Sequence, residues 1–337
     1  MSRRRSRRLS RYHGVVAVDK PTGMTSQDVV NVVRRAAGTR RVGHTGTLDP
    51  LATGLLVVLL GEATRLNEYL VGLDKTYEGT MVLGFQSDTY DTDGEVVAGP
   101  GGPVPDLARL QELTQDFTGD IDQVPPPYSA KRVAGKKLYE YARKGEDVEV
   151  EARPVTVDEY TISDLGQDEE GRTTARFVIA CSSGTYVRSL VHELGRDAGC
   201  GAMVSALRRT AVGDYTLEEA VALDVLRATE EDDFGQYMAP MIDALPDWPI
   251  AYVGEGAARW IKRGQAIPSD LVTLSADNAV QPEFGDLVFL CPPESDAIAL
   301  AEVLPAPPSP PPHEFRGSPA PWYKPSKILV PLDEEEE

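Results

Sequence analysis

The 337-residue chain reads as an α+β protein with a small β-rich module at its C-terminal end. Three observations predict this. Strand-length apolar runs recur from Gly14 to Val212, the longest being Leu55-Leu56-Val57-Val58-Leu59-Leu60 between Gly54 and Gly61. An uninterrupted run of that length suits a strand buried on both faces. Stretches with helical spacing and capping signals lie between the runs, and beyond Pro246-Asp247-Trp248-Pro249 the pattern becomes mainly short strands.

Taken in order, Ser2 to Arg11 is a basic arm without apolar periodicity, which reads as disordered. Gly14 to Val18 is a short strand entering the turn Asp19-Lys20-Pro21-Thr22-Gly23. Ser26 is the expected N-cap of a helix carrying Val29, Val30, Val32, Val33, Ala36 and Ala37, stopped by Gly38. Arg34, Arg35, Arg40 and Arg41 form a basic cluster ahead of a Gly-Thr-rich segment with one carboxylate, Asp49, followed by Pro50. By spacing alone Asp49 is an Asp-Pro turn former. A loop beside a rigid buried strand is also where a reactive side chain is well presented.

A strand is expected over Tyr77 to Phe85, with a hairpin signal at Asp93-Gly94. Leu107, Leu110, Leu113 and Phe117 repeat at helical spacing and read as core. Lys131-Arg132, Lys136-Lys137 and Arg143-Lys144 interleave with Tyr139 and Tyr141, a pattern shared by phosphate-tracking surfaces and solvated helix faces. A strand over Phe177 to Cys181 leads to a helix from about Val187 to Ala198, ended by Gly199. Leu207-Arg208-Arg209 falls in another strand, and Thr216 with Glu219 makes a capping box for a helix over Leu217 to Leu226. Residues 230–249 read as a linker. The module over 250–332 has a helix at Glu255 to Arg263 and strands at Leu287 to Leu290 and Ala297 to Val303. Pro305 to Pro312 is an exposed loop or insertion, and Asp333 to Glu337 an acidic tail.

Composition removes several classes. No apolar run is long enough to span a bilayer, and no signal-peptide core follows the start. Three cysteines without C-x-x-C spacing and four scattered histidines predict a reducing cytoplasm and no metal site. Neither a phosphate-cradling G-x-x-x-x-G-K-[ST] nor a G-x-G-x-x-G stretch occurs. The net charge is −19, with 53 acidic residues against 34 basic ones, 25 of them Arg. Acidic excess with scarce lysine reads as adaptation to a salt-rich cytoplasm, where ions screen self-repulsion.

The wording of the Asp49 loop adds what spacing does not. GHTGTLDPLATGLL followed by GEATRL closely resembles the catalytic signature of the TruB-type tRNA pseudouridine synthases. The resemblance continues through Asp19-Lys20-Pro21, Tyr128-Ser129-Ala130, Lys136 to Ala142, Ser183-Gly184-Thr185-Tyr186-Val187-Arg188 and Leu207-Arg208-Arg209. It spans roughly residues 14 to 225 with the segments in family order.

This resemblance implies the pseudouridine-synthase fold over 13–229: a mixed, largely antiparallel sheet flanked by helices, with the cleft across its middle. A thumb-like RNA-gripping insertion is implied at about 120–153, and the C-terminal module weakly resembles a PUA-like RNA-binding unit. The implied reaction turns uridine 55 of the tRNA TΨC loop into pseudouridine. The implied nucleophile is Asp49, with Arg188 beside it keeping the carboxylate charged and lowering its pKa by about 1–3 before any opposing desolvation. Tyr77 is expected to stack on the flipped uracil and assist proton removal from C5, and Tyr186 and Leu207 to line the uracil pocket. His44 is expected to fill the gap left by the extruded base, and Lys20 with Pro21 to support the loop. Lys131, Arg132, Lys136 and Lys137 are expected to hold RNA phosphates.

No cofactor, metal, membrane or obligatory protein partner is implied, and the expected form is a monomer. Two other readings stand beside this one. One is a dyskerin-type synthase, which takes its specificity from a guide RNA and partner proteins. The other is a non-catalytic RNA-binding or RNA-folding protein on the same scaffold.

Overall fold

The computed structural model describes residues 10–330 apart from 130, 147, 279, 294, 308–310, 312 and 319. Most of the basic arm, the whole acidic tail and part of the Pro-rich segment therefore lie outside the described residues, whereas Pro305 and Ala306 are exposed.

The main body is built on one ten-stranded sheet. Strand β1 (Gly14–Lys20) leads to helix α1 (Ser26–Ala36), the short β2 (Val42–His44), and β3 (Thr53–Leu60). Next come β4 (Lys75–Leu83), α2 (Leu107–Leu113), β5 (Gly119–Gln123), β6 (Arg153–Gln167) and β7 (Thr173–Cys181). Helix α3 (Val187–Asp197), β8 (Ala202–Val212), β9 (Val221–Ala222) and α4 (Leu223–Ala228) complete the body. The main path runs β9-β1-β3-β8-β4-β7-β6-β5, with β2 added on β3. Pairs β1/β9 and β3/β8 are parallel, and the remaining pairs on this path are antiparallel. The sheet is mixed and largely antiparallel, as the resemblance implied.

β3 lies near the centre. Leu55 through Leu60 are all fully buried, each side chain contributing about 1.5–3 kcal/mol of burial as an upper estimate. Alternation sends Leu56, Val58 and Leu60 into one core with Val29 and Val33 of α1, Met81 and Leu190. Leu55, Val57 and Leu59 enter a second core on the opposite face, with Phe289, Cys291 and Leu300 of the C-terminal module.

The module is a six-stranded sheet. Its elements are β10 (Ile250–Val253), α5 (Glu255–Lys262), β11 (Ile267–Pro268), β12 (Val272–Leu274), β13 (Leu287–Cys291), β14 (Ala299–Leu304) and β15 (Trp322–Ile328). The order is β11-β15-β14-β13-β10-β12, a β-rich barrel-like arrangement compatible with a PUA-like unit.

Several expectations need correction. The N-cap of α1 is Thr25, not Ser26: the Thr25 hydroxyl accepts from the Asp28 amide at 3.1 Å, and the Asp28 carboxylate accepts from the Thr25 amide at 3.0 Å. Ser26 turns inward, and its hydroxyl bridges the Leu48 amide at 2.8 Å and the Leu48 carbonyl at 3.1 Å. The strand expected over Tyr77 to Phe85 stops at Leu83, because Gly84 takes a left-handed φ of +82°. Phe85–Ser87 then pairs with Val96–Ala98, placing Asp93-Gly94 in the connecting loop. The Thr216/Glu219 box caps only one 3-10 turn, since Ala220 is extended and Val221 pairs with Val18 of β1. Residues 230–249, read as a linker, carry the buried side chains Phe234, Met241, Ala244 and Leu245, and Ala239 exchanges backbone hydrogen bonds with Val15 at 2.8 and 2.9 Å.

Candidate active site

The loop between β2 and β3 carries Asp49 and is pinned on both sides. Ahead of Asp49, Ser26 holds Leu48 as described. Behind it, the fully buried Lys20 ammonium donates to the carbonyls of Ala52 at 2.6 Å, Pro21 at 3.0 Å and Pro50 at 3.4 Å. Burial outweighs the neighbouring carboxylates, and the Lys20 pKa falls to about 8. Lys20, expected to support the loop, thus reaches two of its carbonyls, those of Pro50 and Ala52.

Gly54 opens β3 at a φ of +97°, and a Cβ there would sit 2.3 Å from the Arg209 carbonyl oxygen. Only glycine lets β8 come this close. Successive β8 side chains then face opposite ways. Arg208 forms a two-pronged ion pair with Asp19, at 2.8 and 3.1 Å, whereas Arg209 is 1% exposed and lines the cleft.

Arg188, in the first turn of α3, is the electrostatic centre. Its Nε lies 2.9 Å from the Asp49 carboxylate and its Nη1 3.2 Å from that of Asp91. Nη1 also donates to the Thr89 carbonyl at 2.6 Å, and Nη2 to the Tyr128 carbonyl at 3.1 Å. The guanidinium is 6% exposed, the Asp91 side chain 4%, and the Asp49 side chain 41%, open into the cleft. Enclosure by protein atoms pushes the Asp49 pKa up; Arg188 opposes this and Asp91 reinforces it. The net direction is therefore the reverse of the lowering expected from the Arg188 pair alone. Desolvation is the largest influence and outweighs the lowering by Arg188 and, more weakly, by Lys20.

The cleft above Asp49 holds about 400 Å³, within the range of small-ligand sites. Its lining includes Tyr77, Tyr186, Arg188, Leu207 and Lys131, so six predicted residues meet here once Asp49 is counted. Tyr77 is buried on β4, and burial raises its hydroxyl pKa against the nearby Arg209. Tyr186 is held through its backbone: its amide donates to Gln123 Oε1 at 2.7 Å, and its carbonyl accepts from Gln123 Nε2 at 3.1 Å.

The other predicted residues lie outside the lining. His44 is half-buried on β2, its Nδ1 accepting from the Gly46 amide at 3.3 Å, and burial lowers its pKa. Arg132, Lys136 and Lys137 sit on a two-stranded hairpin. There Lys136 lies over the Tyr141 ring at 5.6 Å and Lys137 over Tyr139 at 5.4 Å. In the basic cluster before the loop, Arg34 is spent on the Val42 carbonyl at 3.0 Å and Arg41 on an ion pair with Glu62, while Arg35 and Arg40 stay exposed.

Sequence reasoning missed Asp91, Gln123 and the inward turn of Arg209. Asp91 stands in a Thr-Asp-rich turn that reads simply as a hairpin loop, and no local signal marks it as buried. A larger cavity of about 970 Å³ opens between α5 and residues 235–241, away from Asp49. Asp296, one of its two acidic lining residues with Glu255, accepts from the backbone amides of Met241 and Ile242. Among the described residues no His/Cys/Asp/Glu group is placed to hold a metal, and no helix is long and apolar enough to cross a membrane.

Residues 34–187 match the family described as TruB family pseudouridylate synthase (N terminal domain). Residues 188–245 match the tRNA pseudouridylate synthase B C-terminal domain. The chain belongs to the TruB family of pseudouridylate synthases. Relatives named tRNA pseudouridine synthase B include one from Aeromonas salmonicida, 39% identical over 90% of this chain and 93% of that protein. Another, from Thermobifida fusca, is 46% identical over 75% of this chain and 86% of that protein. Among solved structures, a chain of the archaeal box H/ACA Nop10–Cbf5 complex shares the fold with a TM-score of 0.65 and 24% identity, covering 95% of this chain and 87% of that one. The second TruB match begins at Arg188, so Asp49 and the cation beside it come from different matched regions.

Proposed function

We propose that this TruB-family enzyme isomerises uridine 55 in the TΨC loop of tRNA to pseudouridine, with Asp49 as its nucleophile. The observation that carries this reading is the Asp49 carboxylate at the cleft, 2.9 Å from Arg188, with Tyr77 and Leu207 among the walls around it. The reaction breaks the C1′–N1 bond and joins C1′ to C5. N1 gains a proton and C5 loses one, so atoms balance without donor or oxidant. Asp49 forms the covalent adduct and then leaves, which an ionised carboxylate does well.

The uridine must first leave the stacked loop. Tyr77 then stacks on the uracil and assists removal of the C5 proton, Tyr186 and Leu207 frame the ring, and His44 occupies the vacated space. Lys20 holds the Asp49 loop. Lys131, Arg132, Lys136 and Lys137 grip phosphates on the approaching arm. The enzyme works in the cytoplasm as a monomer with no obligatory protein partner.

The test is a hairpin carrying only the T-stem and TΨC loop, since loop targets of this kind are recognised through shape and splayed bases. The purified chain should form pseudouridine in it unaided. Replacing Lys131, Arg132, Lys136 and Lys137 by Gln should weaken capture of the hairpin more than chemistry in the bound state. No product until a guide RNA and partner proteins are supplied would assign the chain to the guide-dependent branch instead.

A further inference from the structure

Arg209 is a buried cation for which the reaction as described has no use. It heads the largest fully buried side chains of the described residues, and no carboxylate among them pairs with it. A guanidinium withdrawn from water must be compensated by carbonyl dipoles or by electron-rich groups nearby. Two carbonyls are present: Arg209 Nε donates to Leu55 at 2.8 Å, and Nη2 to Gly46 at 3.2 Å. Gly46 precedes Asp49 by three residues, and Leu55 lies on the strand that follows it. Arg209 therefore grips the nucleophile loop at Gly46 and the strand behind it at Leu55, carbonyls other than the three held by Lys20.

Across the sheet, Arg209 pairs in register with Tyr77 on β4 and with Gly54 on β3. Directly opposed residues of antiparallel strands lie side by side on one face. Arg209 and Tyr77 both line the cleft with Asp49.

We propose that Arg209 is a positioning residue that sets the Tyr77 hydroxyl against the Asp49 loop and stabilises the phenolate left when that hydroxyl gives its proton to uracil N1, the phenolate then taking the proton that C5 loses. This rests on the roles of Asp49 and Tyr77 proposed above. The electrostatics point the same way: burial drives the Tyr77 hydroxyl up, and Arg209 is the first influence opposing it. Arg208, one residue earlier, is engaged with Asp19 on the other face and has no part in this.

The experiment measures single-turnover rates on the T-arm hairpin, with ordinary and 5-deuterated target uridine, for wild type, Tyr77→Phe, Arg209→Met, Arg209→Lys and the double variant Tyr77→Phe/Arg209→Met. Arg209→Met should slow the chemical step about 100-fold, the scale of lost assistance to proton transfer, with hairpin Kd nearly unchanged. A primary isotope effect should appear in that variant. Groups that act as a unit are not additive, so the double variant should be little slower than Tyr77→Phe alone. Arg209→Lys keeps a cation without the fork, and should recover part of the rate at a melting temperature near wild type. It carries the test if Arg209→Met does not fold.

Rate losses that multiply in the double variant would overturn the proposal. So would an Arg209→Lys enzyme of normal stability and full rate, or a slowed Arg209→Met enzyme without an isotope effect. A Tyr77→Phe enzyme as fast as wild type would sink the Tyr77 reading itself, and this proposal with it; the single-variant arm reads that outcome separately.

Discussion

Replacing Arg188 by Met should damage stability and chemistry by separable amounts. The side chain is 6% exposed and serves two carboxylates and two carbonyls. Its contact with Asp91, whose side chain is 4% exposed, is a buried pair, and removing one partner of such a pair costs about 3–5 kcal/mol. The Asp49 contact is 41% exposed on the carboxylate side, so its share is closer to the roughly 0–1 kcal/mol of an exposed pair. The expected loss is thus dominated by Asp91 stranded in the core, and takes a large part of the about 5–15 kcal/mol that holds a typical domain together. Adding Asp91→Asn removes the stranded charge and should restore most of the denaturation midpoint. It should not restore the reaction. Burial already raises the Asp49 pKa, and without the cation the carboxylate stays protonated to still higher pH. The assay pairs urea denaturation with single-turnover rates on the T-arm hairpin at several pH values. Recovery of rate together with stability in the double variant would refute the reasoning, making Arg188 a scaffold cation only. Equal losses of binding and chemistry would demote it to a phosphate contact.

Three further outcomes are expected. Asp49→Asn should abolish turnover while hairpin binding persists, and should raise the melting temperature. A carboxylate whose folded pKa lies above its unfolded value contributes stability at low pH that is lost as pH rises through the folded value, so its charge is a liability at neutral pH; an unchanged or lower Tm would contradict this. Lys75, buried and shifted down to about 8 from 10.5, releases its proton first in the folded state. Stability should therefore climb between pH 8 and 10.5, by at most about 1.4 kcal/mol per pH unit from this group, and urea midpoints of Lys75→Met should show a smaller climb. With a net charge of −19, the fold should melt higher in molar KCl than in dilute buffer, and a flat response would remove salt adaptation.

How far the sequence reveals this molecule depends on the range of the deciding interaction. Leu55 through Leu60 announce a doubly buried strand because no polar residue interrupts them, and β3 is that strand. Helix α3 and its stop at Gly199 are equally local. Thr25 and Ser26 present two adjacent hydroxyls, either chemically fit to cap α1. The choice is made by Leu48, which needs the inward one. The Thr216/Glu219 box is present but cannot propagate a helix, because Val221 pairs with β1 from the other end of the chain. The site divides the same way. Asp49, Tyr77 and Arg188 were legible through motif wording, not spacing. Asp91 and Arg209 were not, because burial of a charge is set by strand pairing and turn geometry far away in sequence. Arg188 does oppose the rise of the Asp49 pKa, as the motif implies, but desolvation by the folded cleft outweighs it, and the extent of that burial is not written in the loop.

β3 gives one face to each of two cores, and the chain reaches it directly from Asp49. Stripping away the C-terminal module would take Phe289, Cys291 and Leu300 out of the core that Leu55, Val57 and Leu59 share with Leu66, Leu70 and Tyr215, on the strand from which the nucleophile loop is hung. The module is thus a keystone as well as an appendage: heat should take both bodies apart in one calorimetric transition rather than two. A substitution at Phe289 or Leu300, which lie in that core and not in the cleft lining, would then be felt as a misplaced carboxylate. For a lineage exchanging modules by recombination, the newcomer would have to bring the same apolar underside, whatever it binds on its other side.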